Sequence, residues 1–167
     1  MTIEDGVTPK SERYDRSNLV SNKAEKLYKV VHPSDIVYNP SNLRWGAVGI
    51  SKENKAILVS PIYEVLYVRE SQHEVRFLFY LLSSPRQIQI FSTYGEGTLI
   101  ERIAVKVNAF LSVPIFLPIL SEQTRIAAVL LTCDREIELL RRKEIALREQ
   151  KKGLMQKLLT GEVRVKM

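Results

Sequence analysis

One cysteine, Cys133, occurs in 167 residues, so no disulfide can close within the chain and a cysteine-rich zinc module is excluded. There are only two histidines, His32 and His73, and their separation fits no metal-ligand spacing. Long hydrophobic runs are missing. The longest, Ala109 to Leu120, is 12 residues with two prolines, against the ~20 apolar residues of a membrane span. The opening MTIEDGVTPK lacks the basic-then-apolar order of a secretion signal, so a cytoplasmic location away from membranes is expected. Glycines number 7, and none sits in a phosphate-cradling turn. Gly95-Glu96-Gly97-Thr98 is a polar loop without the Lys-Ser/Thr pair, and on these residues alone it reads as a plain connector, with a loop that approaches a backbone closely as the alternative.

What is present suits a folded protein: 45% hydrophobic and 26% charged residues, in a length that fits one domain or one domain with an appendage. The net charge is +6, compatible with a polyanionic partner but modest. It is unevenly spread. Residues 1–120 carry a net +2 and residues 121–167 a net +4.

The chain divides into two unlike parts. Up to about Leu120 the pattern is mixed. Ile36-Val37-Tyr38, Ala56 to Val59 and Ile62 to Val68 are short β-branched and aromatic runs punctuated by Pro, Ser and Asn, and read as strands and turns. Val75 to Ser83 reads as a short buried helix ended by Pro85, with a second helix over Arg86 to Tyr94. Ile103 to Val107 alternates like a strand, and Val113 to Leu120, with Pro114 and Pro118, reads as an extended connector. These elements predict an α+β domain over residues 1–120, built on a small mixed sheet.

After Pro118 the period changes. Ser121 is a suitable N-cap, Glu122 places negative charge in the first turn, and Gly161 is placed to stop the helix. A helix over 121–161 follows, with a short tail, 162–167. Its seam runs Ile126, Leu130, Cys133, Ile137, Leu140, Glu144, Leu147, Lys151, Leu154, Leu158, in alternating steps of four and three. That is a coiled-coil heptad with two polar core positions, which weaken a coil but fix its register or partner. A small domain is shorter than such a helix. The seam either folds back on the domain or pairs with a second helix, and its length favours pairing.

Catalytic signals are weak. Asn39-Pro40-Ser41-Asn42 only superficially matches the Asp/Asn-Pro-Pro-aromatic loop of amino-methyltransferases, lacking the second proline and the aromatic. Asp35 with Glu53-Asn54-Lys55 has the residue types of a metal-dependent nuclease, which needs two carboxylates for Mg²⁺ and a lysine to activate water, but the motif is short and Glu53 to Lys55 equally fits a charged turn. Nucleic-acid candidates cluster early: Lys10, Arg13, Tyr14 and Arg16, then Asn42, Arg44, Trp45 and Lys52, with Gly95, Gly97 and Thr98 as a second loop. Arginine can fork onto guanine edges, asparagine onto adenine, and lysine onto phosphates. Trp45 fits a core position equally well.

The stretch Pro114-Ile115, Leu117-Pro118, Leu120-Ser121-Glu122-Gln123, Arg125-Ile126-Ala127 and Leu130, followed by Gln150-Lys151-Lys152-Gly153-Leu154-Met155-Gln156-Lys157-Leu158-Leu159-Thr160-Gly161, resembles the end of a specificity subunit of type I restriction-modification systems. Ile119 stands where that family often has a second proline. Glu4 to Pro9, Tyr28 to Val31, Asp35 to Pro40 with Arg44-Trp45-Gly46, Ser60 to Tyr63 and Gly95 to Thr98 resemble its target recognition domain. The resemblance implies a non-catalytic reader of double-stranded DNA with no cofactor of its own. It implies methylation subunits that use S-adenosylmethionine, and restriction subunits whose motor and nuclease use ATP and Mg²⁺. It further implies that the long helix pairs antiparallel with another and sets the spacing of a bipartite target, while exposed residues such as Arg141, Arg142, Lys143 and Lys152 face methylation subunits. One recognition domain and one helix are half of such a subunit, and the domain is expected to begin some tens of residues late. A homodimer, or pairing with a second half-subunit, would restore the whole. The alternative is an assembly protein that docks methylation subunits without reading DNA.

Overall fold

The computed structural model describes residues 28–69, 73–97 and 103–165. Two units are distinguished, Met1–Thr124 and Arg125–Met167. The first is an α+β head. Its strands are β1 Lys29–Val31, β2 Ile36–Tyr38, β3 Val48–Ile50, β4 Ile57–Val59 and β5 Glu64–Leu66. Three short helices follow, α1 Val75–Ser83, α2 Pro85–Thr93 and α3 Val107–Ser112. The strands form two antiparallel sheets, a β1–β4 ribbon and a three-stranded sheet in the order β3–β2–β5.

The centre is β2. All three of its residues are buried, as a continuous apolar run requires when both faces are covered. On one face Val37 packs with Val31 of the ribbon, joined by Ile57, Val59, Tyr63 and Val65. On the other, the Tyr38 ring stacks on Phe110 of α3 at 4.5 Å, and Phe110 stacks on Phe91 of α2 at 4.4 Å. The Tyr38 hydroxyl donates to the Val105 carbonyl at 3.2 Å. Burial, and then the negative charge of Glu64, push the Tyr38 phenol well above its ordinary range. Lys29 and Glu64, at 2.6 Å, tie the ribbon to the edge of the three-stranded sheet.

The β1–β2 turn is built from His32-Pro33-Ser34-Asp35. Asp35 N donates to the His32 carbonyl at 3.1 Å, and Ser34 has φ +69°. Proline followed by a positive φ defines a type II turn, with serine where glycine is usual. The Asp35 carboxylate accepts from His32 N at 2.7 Å, so this buried acid serves the turn rather than a metal site.

Two expectations need correction. The strand expected over Ile103 to Val107 is a single bridge, Ala104 opposite Glu96, because the chain turns into α3 at Val107. Helix α4 begins at Leu120, with Ile119 accepting from Glu122 N and Gln123 N at 3.0 Å. Ser121 therefore lies inside the first turn and is not its cap.

α4 spans Leu120–Leu159 without interruption, 40 residues or about 60 Å. It ends at Gly161, whose φ of +76° allows the left-handed turn that closes a helix. No helix among the described residues is long and apolar enough to cross a membrane.

Candidate nucleic-acid interface

The β2–β3 connection is a hydrogen-bonded loop. Asn39 N donates to the Ala47 carbonyl at 2.9 Å and closes it at the base. The Asn39 side chain accepts from Ser41 N at 3.1 Å, an Asx turn. The Asn42 carbonyl accepts from Trp45 N at 2.9 Å and Ala47 N at 3.2 Å, which winds Leu43–Trp45 into a 3₁₀ turn. Leu43 is fully buried and anchors that turn, and Gly46 at φ +82° lets the chain leave it. The result is a stiff platform. From it Asn42 is exposed, Trp45 is 62% exposed, and the Arg44 guanidinium lies 5.0 Å from the Trp45 ring centroid. A cation over an exposed indole is pre-oriented at little entropic cost. Trp45 is not a core residue.

The second loop abuts the first. α2 packs on the 3₁₀ turn, and Val105 N donates to the Pro40 carbonyl at 3.0 Å. Between them, Glu96 and Ala104 exchange a pair of backbone hydrogen bonds at 3.0 Å. A Cβ on Gly95 would run into the Ile103 side chain. Gly95 is thus a close-approach glycine, not a plain connector residue, and its packing partner eight positions on carried no signal in the sequence.

Asn42, Arg44, Trp45, Gly95 and Gly97 therefore share one end of the head. Lys52 does not join them. It follows β3 at the opposite end of the hairpin, where Ser34 N donates to the Ser51 carbonyl at 3.3 Å. It is exposed there. Lys10, Arg13, Tyr14, Arg16 and Thr98 lie outside the described residues, as does the resembling segment Glu4 to Pro9. Among the described residues no cluster of three His, Cys, Asp or Glu side chains could hold a metal.

Two features escaped the sequence reading. Gln123 is 1% exposed. Its side chain accepts from Glu74 N at 3.0 Å and donates to the Pro118 carbonyl at 2.7 Å. Glu74 in turn caps α1 through Phe77 N at 2.6 Å. Gln123 thereby fastens the first turn of α4 to α1 and to the proline connector. A glutamine on the apolar side of a helix start was the available signal. The second is the exposure of Phe116, which stands between Pro114 and Pro118 in the connector read from the sequence and is 96% exposed.

On α4, Leu130, Ile137, Leu140, Leu147, Leu154 and Leu158 are exposed, as is Cys133. Glu144 pairs with Arg148 at 2.7 Å, and Arg142 pairs with Glu138. Leu147, Lys151, Leu154 and Leu158 line one shallow depression on the helix surface.

A stiff loop thus presents an exposed tryptophan beside a half-buried arginine on a small α+β head, and a 40-residue helix follows the head in the chain. The comparisons with known proteins make this specific. A family model, the type I restriction modification DNA specificity domain, matches residues 5–149, and the chain belongs to that family. Over 121 residues it is 33% identical to the type I restriction enzyme MjaVIII specificity subunit of Methanocaldococcus jannaschii, which covers 71% of this chain and 28% of that protein. The crystal structure of the HsdS subunit from Thermoanaerobacter tengcongensis shares its fold, with a TM-score of 0.56 at 23% identity, over 77% of this chain and 33% of that one. The chain thus spans a third or less of either relative's length.

Proposed function

We propose that this chain reads double-stranded DNA sequence as the specificity component of a type I restriction-modification complex. The observation that carries the reading is the stiff Asn39–Ala47 loop, which holds Arg44 against an exposed Trp45 in a chain of this family. In this reading Asn42, Arg44 and Trp45 approach base edges, while the early basic residues Lys10, Arg13 and Arg16 meet phosphates. The head supplies no chemistry. Methylation subunits with S-adenosylmethionine modify the site, and restriction subunits with ATP and Mg²⁺ cleave unmodified DNA. The α4 seam pairs antiparallel with the helix of a second copy, or of another half-subunit, and sets the distance between two half-sites. A two-fold pair reads an inverted repeat.

The test begins with co-expression beside a type I methylation subunit and mapping of methylated bases in host DNA. A bipartite inverted-repeat motif is expected. Binding of a duplex carrying that motif is read from the anisotropy of a fluorophore on the DNA, a signal that every variant of the chain retains. Trp45→Ala should weaken that duplex by about 1–3 kcal/mol, roughly 5- to 150-fold, with little change for a scrambled duplex. Equal affinity of the native chain for both duplexes at every salt concentration would refute sequence reading and favour the assembly-protein alternative.

A further inference from the structure

We infer that Glu144 and Lys151 set the register of an antiparallel pair of copies of this chain, with Glu144 of each helix opposite Leu147 of the other. This rests on the helix-pairing reading above. The seam places Leu130, Ile137, Glu144, Lys151 and Leu158 at one core position of the heptad, and Ile126, Cys133, Leu140, Leu147 and Leu154 at the other. In an antiparallel pair each layer joins one position of the first kind to one of the second.

Two neighbouring registers compete. In the one with the fullest apolar overlap, Glu144 faces the partner's Leu140 and Lys151 faces the partner's Cys133. Glu144 then lies three layers, or about 16 Å, from the partner's Lys151, beyond the reach of both side chains. Four charges are buried in the seam without a partner across it. Sliding by one heptad puts Glu144 opposite the partner's Leu147 and Lys151 opposite the partner's Leu140. Glu144 and the partner's Lys151 now occupy adjacent layers about 6 Å apart along the axis, twice over by symmetry, while the two Glu144 lie in adjacent layers in either register, about 6 Å apart before the slide and about 4.5 Å after it. A carboxylate has two acceptor oxygens, so Glu144 can keep Arg148, now at 2.7 Å, and add the lysine.

The slide leaves Ile126 and Leu130 without facing layers. They are the least exposed apolar residues of the seam, with Ile126 only partly exposed and Leu130 at 37%, so they lose least. Flanking charges do not choose. The full-overlap register sets Asp134 beside the partner's Arg148 twice, against Arg141 and Lys143 each beside its own copy. The slid register sets Glu136 beside the partner's Lys157 twice, against Arg141 beside the partner's Arg148 twice. Each has two attractive and two repulsive pairs, and these are solvated. The core decides: both registers keep the Glu144–Arg148 pair and one approach of the two Glu144, and only the slid one adds two Glu144–Lys151 approaches that give each seam lysine a partner across the pair.

Oxidative cross-linking of the full chain tests this, with Cys133 as the built-in probe. Leu158→Cys, which leaves Glu144 and Lys151 intact, should give a covalent dimer through Cys133, lost when Cys133→Ser is added. Leu130→Cys with Leu154→Cys, in a Cys133→Ser background, reports the full-overlap register and should stay uncross-linked. Glu144→Lys should weaken the dimer at least about tenfold, and Glu144→Lys with Lys151→Glu should restore it. Cross-linking of only the 130/154 variant overturns the register and leaves pairing standing. A covalent dimer of the native chain through Cys133 alone means a parallel pair and overturns the antiparallel arrangement. A monomer by light scattering at micromolar concentration overturns the pairing reading itself.

Discussion

Every residue of β2 is buried, whereas the apolar seam residues of α4 from Leu130 to Leu158 are exposed. The head covers the apolar side chains of β2 with its own elements: ribbon on one face, α2 and α3 on the other. A lone helix has no second element to do this. Helical stability in water comes mostly from burial of an apolar face rather than from propensity. Under the pairing proposed above, the helical unit depends on concentration and partner in a way the head does not. Under the proposed function, a module that must hold its reading loop still, yet stay available for assembly, gains from that division.

The sharpest way to test the division is to break only the head. Phe110 stands between Tyr38 and Phe91, so Phe110→Ala opens a cavity at the one stack that joins sheet, α2 and α3. A loss of about 3–5 kcal/mol is expected in urea unfolding followed by Trp45 fluorescence. Far-ultraviolet helicity from α4 should persist and should keep its dependence on protein concentration. Loss of both signals together at one denaturant concentration would mean that the two units do not differ as described.

Next in size is the fastening at the helix start. Gln123→Ala removes both side-chain hydrogen bonds and leaves Glu74 N and the Pro118 carbonyl without this partner. About 1–3 kcal/mol should be lost from the head, measured in the same unfolding experiment. Seam-dependent dimerisation should change little. A variant that weakened dimerisation and left head stability intact would put Gln123 in the wrong unit.

Much of this was legible in the sequence, and the limits have physical reasons. Val75 to Ser83 emerged with its bounds because an almost wholly apolar run meets a proline. The α+β class and the long helix followed from the change of period at Pro118. β1 and β3 were not read as strands: Lys29-Val30-Val31 opens on a charge and Val48-Gly49-Ile50 is broken by a glycine, so neither shows the unbroken apolar run of β2 or β4. Their pairing, Lys29 to Val59 and Tyr38 to Val48, is decided by contacts far along the chain. Trp45 was ambiguous for a related reason. Its neighbour Leu43 takes the buried side of the 3₁₀ turn, which leaves the tryptophan outward, and residue type alone cannot say which of the two turns in.

Alkaline pH separates the units again, because Tyr38 belongs to the head alone. Its phenol is held protonated above its ordinary range by burial and by Glu64. The unfolded chain releases that proton near pH 10, whereas the folded head keeps it. Stability from this group is therefore complete below about pH 10 and falls as pH rises past that point, by up to about 1.4 kcal/mol per pH unit. Tyr38→Phe should flatten that slope in head unfolding and leave α4 helicity unchanged over the same range. An equally steep slope in the variant would assign the alkaline loss to other groups.

The smallest expected effect lies in the β1–β2 turn. Ser34 holds φ +69°, which costs an L-residue roughly 1 kcal/mol that glycine avoids. Glycine also has more freedom to lose on folding, which takes back part of the gain. Ser34→Gly should thus stabilise the head by about 0.5 kcal/mol, seen as a small rise in its Tm. DNA affinity should not move, because this turn lies at the end of the sheet away from Arg44 and Trp45. A change in affinity without a change in Tm would extend the reading surface to the Lys52 end of the sheet. The head would then grip DNA from both ends of β2 rather than from the Asn39–Ala47 loop alone.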